Sequence, residues 1–132
     1  MDECYWFGRR EIKKMRYFFD TFALIEVIKN NPNYIKYFEE IITTSKFNLV
    51  ELYFNLLRDL GEEKAKESYF QFKDCAIELK DDIIFEAMKL KLKNKNLSYT
   101  DCIGYILALK NNLKFLTGDR QFTDMENVEL VR

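Results

Sequence analysis

Four acidic residues, each in a different part of the chain, carry the side chains best suited to catalysis or metal binding: Asp20, Glu51, Asp101 and Asp119. Three of them also have ordinary structural explanations. Asp20 lies between an apolar run and a helical stretch, which is the position of a helix N-cap. Asp101 comes three residues after Ser98, a spacing typical of a capping box. Asp119 belongs to a Gly-Asp turn, where an Asp side chain commonly bonds its own backbone.

The fourth acid, Glu51, lies inside a predicted helix rather than at its end. Phe47 stands four residues before it and Phe54 three residues after it, so both rings share its helix face. Burying a carboxylate in such an apolar stripe is costly unless something pairs with it. The alternatives are a surface Glu beside exposed aromatic rings and a salt bridge to a lysine. Glu51 is therefore harder to explain by local structure than the other acids.

Taken together, the four acids predict a site for a divalent cation. If they converge, two unit charges about 5 Å apart repel by about 3 kcal/mol at an effective dielectric of about 20, which is a large fraction of the stability of a domain. Protonation or a bound cation must offset that repulsion. Carboxylate oxygens with room for water suit Mg²⁺ or Mn²⁺. The chain has no histidine, which excludes Ser-His-Asp and Cys-His catalysis and any His-ligated metal.

The elements that would position these acids alternate between strands and helices. Apolar or β-branched runs predict strands at residues 16–19, 41–44, 75–79, 114–117 and 128–131. Periodicity and capping residues predict helices at residues 22–29, 34–39, 46–59, 62–73, 81–93 and 99–111. This alternation predicts an α/β fold with a mostly parallel sheet and helices on both faces. Asp20 and Asp119 each follow a predicted strand, so we expect them at the same edge of the sheet.

The composition indicates one packed domain that is not held to nucleic acid by bulk charge. Of the 132 residues, 48% are hydrophobic and 33% are charged, a balance typical of globular proteins. The net charge is only -1, so attraction to RNA would require a local patch or a bound cation. Lys46 and Arg120 lie near the predicted sheet edge and are candidates for contacts with an RNA backbone. Simple solvated charge is the alternative for both.

The cysteines and the start of the chain bear on location and domain bounds. Cys4, Cys75 and Cys102 are far apart and include no CxxC pair. We therefore expect free thiols, as in a reducing cytoplasm, rather than a zinc site or a disulfide framework. No apolar run is as long as a membrane span, and no signal peptide is visible. Residues 1–14 are interpreted as an upstream extension of a domain at residues 15–132, with an additional N-terminal helix as the alternative.

Several stretches of the chain resemble the motifs of PIN domains. Residues 18–24 (FFDTFAL) resemble the opening motif, and residues 48–53 (NLVELY) resemble the second acidic motif. Residues 97–105 (LSYTDCIGY) resemble the third motif, and residues 115–122 (FLTGDRQF) resemble the strand-end motif that carries the fourth acid. Residues 127–130 resemble the usual last strand. The chain is most similar in these motifs to VapC-type toxins and related archaeal or bacterial PIN proteins.

This resemblance implies a three-layer α/β/α sandwich around a mostly parallel sheet of four to five strands. It also implies an Mg²⁺- or Mn²⁺-dependent endoribonuclease of the cytoplasm, which is the toxin of a toxin-antitoxin pair. Metal binding and catalysis are assigned to Asp20, Glu51, Asp101 and Asp119. Thr117 and Thr21 would support these acids with their hydroxyl groups. Family members commonly form homodimers and pair with an antitoxin protein that blocks the site.

One position departs from the family pattern and keeps other interpretations open. PIN domains often have Asn or Ser two residues after the first Asp, where this chain has Phe22. Loss of a polar group there weakens the orientation of a metal ligand, so a catalytically degenerate domain that binds RNA or a protein partner is one alternative. A PIN nuclease of RNA maturation is another. A haloacid-dehalogenase type of phosphatase also starts with a strand-end Asp, but it needs a second Asp at this position.

Overall fold

The computed structural model describes residues 16–132 and has a parallel sheet at its centre. Its strands, in the order β1-β2-β3, are β1 (Tyr17–Phe19), β2 (Lys114–Thr117) and β3 (Val128–Leu130). Beyond β1, single parallel bridges join Phe18 to Thr43 and Thr44 to Ala76. These bridges stand where the second and third of the predicted strands were expected. The predicted sheet of four to five strands therefore consists, in this part of the chain, of three strands and two short additions.

Helices surround this sheet at the positions that the sequence predicts. Between residues 16 and 132 the α-helices are α1 (Thr21–Ile28), α2 (Lys46–Leu60), α3 (Glu62–Phe72), α4 (Asp81–Lys93) and α5 (Tyr99–Lys110). Short 3-10 segments occupy Pro32–Glu39, Lys73–Cys75 and Arg120–Phe122. The ends of α2 show why the boundaries were predictable. Ser45 caps its start through the N–H of Asn48, and Gly61 ends it with a φ of 93° that favours glycine.

The strands divide their side chains between two apolar cores, one on each face of the sheet. Phe19 and Leu116 belong to the core shared with α1, α2 and α3, whereas Phe18 and Phe115 belong to the core shared with α4 and α5. This division follows because successive strand residues point to opposite faces. On the second face the packing is close, since a methyl group at Gly104 of α5 would lie 2.9 Å from Phe18 Cε1. The predicted three-layer α/β/α sandwich is confirmed.

Two expectations about the rest of the chain have different outcomes. The extension predicted at residues 1–14 lies outside the described residues and stays a prediction. Cys75 is disulfide-bonded, whereas Cys102 is a buried free thiol, so the expectation that all the thiols are free is wrong. Spacing along the chain does not show which cysteines approach each other in the fold. Within residues 16–132, no helix is long and apolar enough to cross a membrane.

Candidate active site

A cleft of about 580 Å³ opens where β1 and β2 end. Its lining includes all the acids that the sequence singles out: Asp20, Glu51, Asp101 and Asp119. Asp20 follows β1 and Asp119 follows β2, whereas Glu51 lies in α2 and Asp101 in the first turn of α5. The rest of the lining is mostly apolar and consists of Thr21, Phe22, Ile25, Val50, Phe54 and Asn55. The fold thus brings acids from distant parts of the chain to one cleft.

Asp20 is the most deeply buried of these acids, with 5% of its surface exposed. Its Oδ1 accepts a 2.9 Å hydrogen bond from the backbone N–H of Ala23, so it caps α1 as its position predicts. Burial raises its pKa to about 7, and hydrogen bonds from Thr117 and Ala23 oppose that shift. The charges of Asp101 and Asp119 raise the pKa further. Asp20 is therefore an N-cap whose ionisation the surroundings oppose.

Glu51 is half-buried and accepts a hydrogen bond of 2.8 Å at Oε1 from the hydroxyl of Thr21. The Nδ2 of Asn48 donates to the same Thr21 oxygen at 3.1 Å, and the Ser45 hydroxyl donates to Asn48 Oδ1 at 2.6 Å. The single Thr21 proton has two acceptors within reach, Glu51 Oε1 at 2.8 Å and the Asn48 carbonyl at 3.4 Å, and the shorter distance favours Glu51. Burial raises the pKa of Glu51, and the bond from Thr21 lowers it.

Asn48 was not predicted as part of the site, although it is 2% exposed and belongs to this chain of hydrogen bonds. The signal was available, because Asn48 stands three residues before Glu51 and therefore on the same helix face. Of the alternatives left open for the surroundings of Glu51, exposed aromatic rings are observed. Phe47 and Phe54 are 43% and 60% exposed. The helix instead packs through Leu49, Leu52 and Leu56, which turns those rings outward.

Asp101 and Asp119 also combine a capping role with a place in the cleft. Asp101 Oδ2 accepts from the Ser98 N–H and the Ser98 hydroxyl accepts from the Asp101 N–H, both at 3.0 Å, which is the predicted capping box. Burial raises the pKa of Asp101, and the nearby charge of Asp119 adds to that effect. Asp119 Oδ1 accepts a 2.9 Å bond from the Gln121 N–H, while its own N–H donates to Thr117 Oγ1 at 3.0 Å.

The negative charge of the cleft has no cationic partner in direct contact among the described side chains. The ion pairs between residues 16 and 132 involve other acids, such as Glu40 with Arg16 and Glu62 with Lys66. None of the four acids of the cleft is in an ion pair of this part of the chain. Their charges instead act on one another, as the raised pKa values show. Such an arrangement attracts cations.

The donor chemistry of the cleft fits a hard divalent cation such as Mg²⁺ or Mn²⁺, because the acids offer only oxygen ligands. As they stand, however, no three Asp, Glu or Cys side chains within residues 16–132 are gathered closely enough to hold one ion. One oxygen each of Asp20, Asp101 and Asp119 instead accepts a hydrogen bond from a backbone N–H group of its own turn. A bound cation would remove the repulsion between the carboxylates and so allow them to approach.

The cations suggested by the sequence do not line this cleft. Lys46 is hydrogen-bonded to the hydroxyl of Tyr69 and lies 5.0 Å from the centroid of that ring, where α2 meets α3. Arg120 is exposed in the turn after Asp119. Among the described residues, those lining the cleft include neither Lys46 nor Arg120. A role for either in RNA binding stays a prediction.

A different cation, Arg132, lies beside the cleft. Its guanidinium is 5.7 Å from the centroid of the Phe22 ring, and Nη1 donates a 2.9 Å hydrogen bond to the Gly118 carbonyl. Arg132 was not predicted from the sequence, because an arginine after the last strand belongs to none of the motifs. Phe22, where the sequence lacks the polar residue of the PIN motif, therefore packs against this guanidinium.

Comparison with known proteins identifies one family for most of the chain. The model of the PIN domain family matches residues 17–128, which include all the acids of the cleft. No curated protein matches the chain at a significant level. The family match spans the sheet from β1 to the first residue of β3.

Solved structures share this fold at low sequence identity. The VapBC2 structure from Rickettsia felis, bound to a DNA fragment from its promoter, superposes with a TM-score of 0.71 at 18% identity, covering 89% of this chain and 100% of that one. The sarcin-ricin loop cleaving toxin VapC20 from Mycobacterium tuberculosis gives 0.70 at 16% identity, covering 88% and 99%. A toxin-antitoxin complex from Klebsiella pneumoniae gives 0.67 at 19% identity, covering 86% and 95%.

Proposed function

The chain belongs to the PIN domain family, and from this premise we propose that it is a metal-dependent endoribonuclease that acts as the toxin of a toxin-antitoxin pair. The observation that carries the proposal is the convergence of Asp20, Glu51, Asp101 and Asp119 on one cleft without an ion-pair partner among the described residues. We assign metal binding and catalysis to these acids. The proposed domain spans residues 15–132.

The division of labour among the side chains follows from their surroundings. A bound Mg²⁺ or Mn²⁺ would supply Lewis acidity, which activates water and balances charge on a phosphodiester. The Thr21 hydroxyl donates to the Glu51 carboxylate and so fixes its orientation. The Thr117 hydroxyl accepts from the N–H of Asp119 and hydrogen-bonds to the Asp20 side chain. Asp101 and Asp119 are less buried than Asp20, so either can accept the proton of an attacking water. The water oxygen then bonds to phosphorus while one P–O ester bond breaks, and the proton taken from the water passes to the oxygen that leaves.

The proposed partners rest on the structures that share the fold. The solved complexes from Klebsiella pneumoniae and Rickettsia felis are toxin-antitoxin assemblies, which favours an antitoxin protein as the partner of this chain as well. VapC20 from Mycobacterium tuberculosis cleaves the sarcin-ricin loop, which favours RNA as the substrate class. We propose the cytoplasm as the location of this activity, because RNA and an antitoxin would both be available there. A homodimer is proposed by the same resemblance.

An RNA cleavage assay tests the proposed activity. We expect the purified protein to cut a labelled structured RNA in Mn²⁺ or Mg²⁺ and to leave it intact in EDTA. Asp20→Asn and Asp119→Asn should abolish cutting, because each removes a charge that faces the cleft. Lys110→Gln, a change of an exposed residue at the far end of α5, is the matched control and should cut normally. Equal cutting by the wild-type protein and both Asn variants would show a contaminating nuclease and defeat the proposal.

Phe22 favours one second candidate, a degenerate PIN domain that binds RNA or a protein without cutting. Its ring lines the cleft where the family often has a polar side chain. The same assay separates the two, because a degenerate domain binds RNA and leaves it intact in every metal. Restoring the polar group with Phe22→Asn would then be expected to raise the affinity for Mn²⁺. The family membership leaves no reason to retain a phosphatase of the haloacid-dehalogenase type.

A further inference from the structure

Arg132 is fixed beside the cleft at both its backbone and its side chain. The N–H of Val131 donates to the Thr117 carbonyl at 2.8 Å, and the Arg132 carbonyl accepts from Asn33 Nδ2 at 2.7 Å. The side chain is held by the Gly118 carbonyl and by the Phe22 ring. These two side-chain contacts restrict the rotamers of an exposed arginine, so binding a ligand costs it less further entropy than a free side chain would lose.

The two groups that hold this guanidinium are parts of the acidic site. Gly118 is the residue immediately before Asp119, and Phe22 lies two residues after Asp20 and lines the cleft. The Phe22 ring lies so close to Gly118 that a methyl group at that position would overlap it. Ring, glycine and guanidinium therefore form one packed edge of the site.

The charge and most donors of Arg132 are unused within the described part of the chain. Arg132 forms no ion pair with an acid of residues 16–132. Its Nη1 has the Gly118 carbonyl as acceptor, and no described residue accepts from Nε or Nη2. The planar fork of a guanidinium matches the oxygens of a phosphate. A phosphodiester that enters a cleft lined by four carboxylates meets repulsion, which a fixed cation at the edge offsets.

We infer that Arg132, held on the Phe22 ring and the Gly118 carbonyl, binds a backbone phosphate of the RNA at the edge of the acidic cleft. This inference rests on the proposed function, since it takes RNA as the substrate. It gives Phe22 a role in the site, because that ring holds the guanidinium. It also differs from the sequence-based expectation, which pointed to Lys46 and Arg120.

Salt-dependent RNA binding tests this inference apart from catalysis. The affinity of a fluorescein-labelled oligouridylate is measured by fluorescence anisotropy over a series of KCl concentrations, with Ca²⁺ in place of Mg²⁺ or Mn²⁺ to suppress cutting. The variants are Arg132→Gln, which removes the charge, and Arg132→Lys, which keeps it without the fork. Lys114→Gln is the matched control, because Lys114 is an exposed cation at the opposite end of β2.

We expect Arg132→Gln to bind roughly ten-fold more weakly, as for loss of a charged hydrogen bond. The slope of log affinity against log salt should shrink by about 0.7, as for one phosphate contact with a single strand. Arg132→Lys should keep the slope and lose part of the affinity, and Lys114→Gln should match the wild-type protein. Thermal melting confirms that each variant is folded.

Two results would overturn the inference. If Arg132→Gln matches Lys114→Gln in affinity and slope, or loses affinity with an unchanged slope, then Arg132 has at most a structural role and the proposed function is unaffected. If the wild-type protein neither binds nor cuts RNA, the proposed function fails and the inference fails with it.

Discussion

Single carboxylates of this cleft serve the fold and the site at once, and the two roles oppose each other. A negative charge at a helix start is favourable because it accepts free N–H groups and faces the positive end of the helix dipole. Burial beside other acids is unfavourable, and for Asp20 burial prevails, since its pKa is raised to about 7. Without a cation, the site therefore reduces the stability of the fold at neutral pH.

Replacing Asp20 by the uncharged Asn should make this cost measurable. Between about pH 4 and 7 the folded wild-type protein binds more protons at Asp20 than the unfolded chain, so its stability falls as the pH rises. Relative to Asp20→Asn, the unfolding free energy of the wild-type protein should decrease by at most about 4 kcal/mol once the pH exceeds about 7. This limit follows because the pKa differs by about three units from its ordinary value, at about 1.36 kcal/mol each. Urea unfolding in EDTA from about pH 4 to 8 measures the difference. A constant difference across that range would show that Asp20 ionises normally.

The hydroxyl of Thr21 provides a second prediction, about the orientation of Glu51. Thr21→Val keeps the shape but removes the donor to Glu51 and leaves Asn48 Nδ2 without its acceptor. We expect a loss of about 1–3 kcal/mol in unfolding free energy and a weaker affinity for Mn²⁺ by calorimetry. Thr21→Ser, which keeps the hydroxyl, is the control and should restore the affinity. Unchanged Mn²⁺ binding in the Val variant would mean that Thr21 does not position Glu51.

Among the elements, the turn after β2 is the part where fold and site depend most closely on each other. It carries Asp119, and its Gly118 receives both the Phe22 ring and the Arg132 side chain. Glycine is required there because the ring occupies the space of a side chain. The turn after β2 therefore packs against α1 through the contact between Gly118 and the Phe22 ring.

Gly118→Ala tests this match. The added methyl group overlaps the Phe22 ring, so we expect a loss of about 1–3 kcal/mol from overpacking. Because Phe22→Ala removes the obstacle, the double variant should be less destabilised than the sum of the two single changes. Denaturant unfolding of all three variants measures the coupling. Strictly additive losses would show that the ring and the glycine are not in contact.

The elements themselves were largely predictable from the sequence because their signals are local. Ser45 and Ser98 cap α2 and α5 as expected, and Gly61 ends α2. In place of the strands expected at residues 41–44 and 75–79, the structure has single bridges. The first residue of the expected strand at 75–79 belongs to the 3-10 segment Lys73–Cys75. A run of β-branched or apolar residues shows what is buried, but pairing length depends on neighbours that lie far away along the chain.

The site was predictable only in part, for the same reason. Its acids occur in motifs, three of them at a strand end or a helix start and Glu51 within a helix, so their convergence followed from the fold. Asn48 was missed although it lies in a motif and on the helix face of Glu51, because its contact with Thr21 is long-range. Arg132 lies outside every motif, so its contact with Phe22 had no signal in the sequence. The exposed ring of Phe54 shows that sharing a helix face with Glu51 does not decide burial.

For the whole molecule, the acidic cleft should make stability depend on divalent ions. A ligand that binds only the folded state adds about 2.7 kcal/mol when present at about a hundred times its Kd. We therefore expect Mn²⁺ to raise the melting temperature of the wild-type protein by several degrees relative to EDTA, and more at about pH 8 than at about pH 6, where Asp20 is partly protonated. Asp20→Asn and Asp119→Asn should reduce that gain. Equal melting temperatures in EDTA and Mn²⁺ would count against a metal site.

A crystal structure of the wild-type protein grown with Mn²⁺ would test the proposed metal site most directly, because the anomalous signal of manganese locates the ion without assumption. We predict a peak inside the cleft, with oxygens of Asp20 and of at least one of Glu51, Asp101 and Asp119 turned toward it within bonding distance. An empty cleft at saturating Mn²⁺, with the four carboxylates still bonded to their own caps and to Thr21, would contradict the proposal.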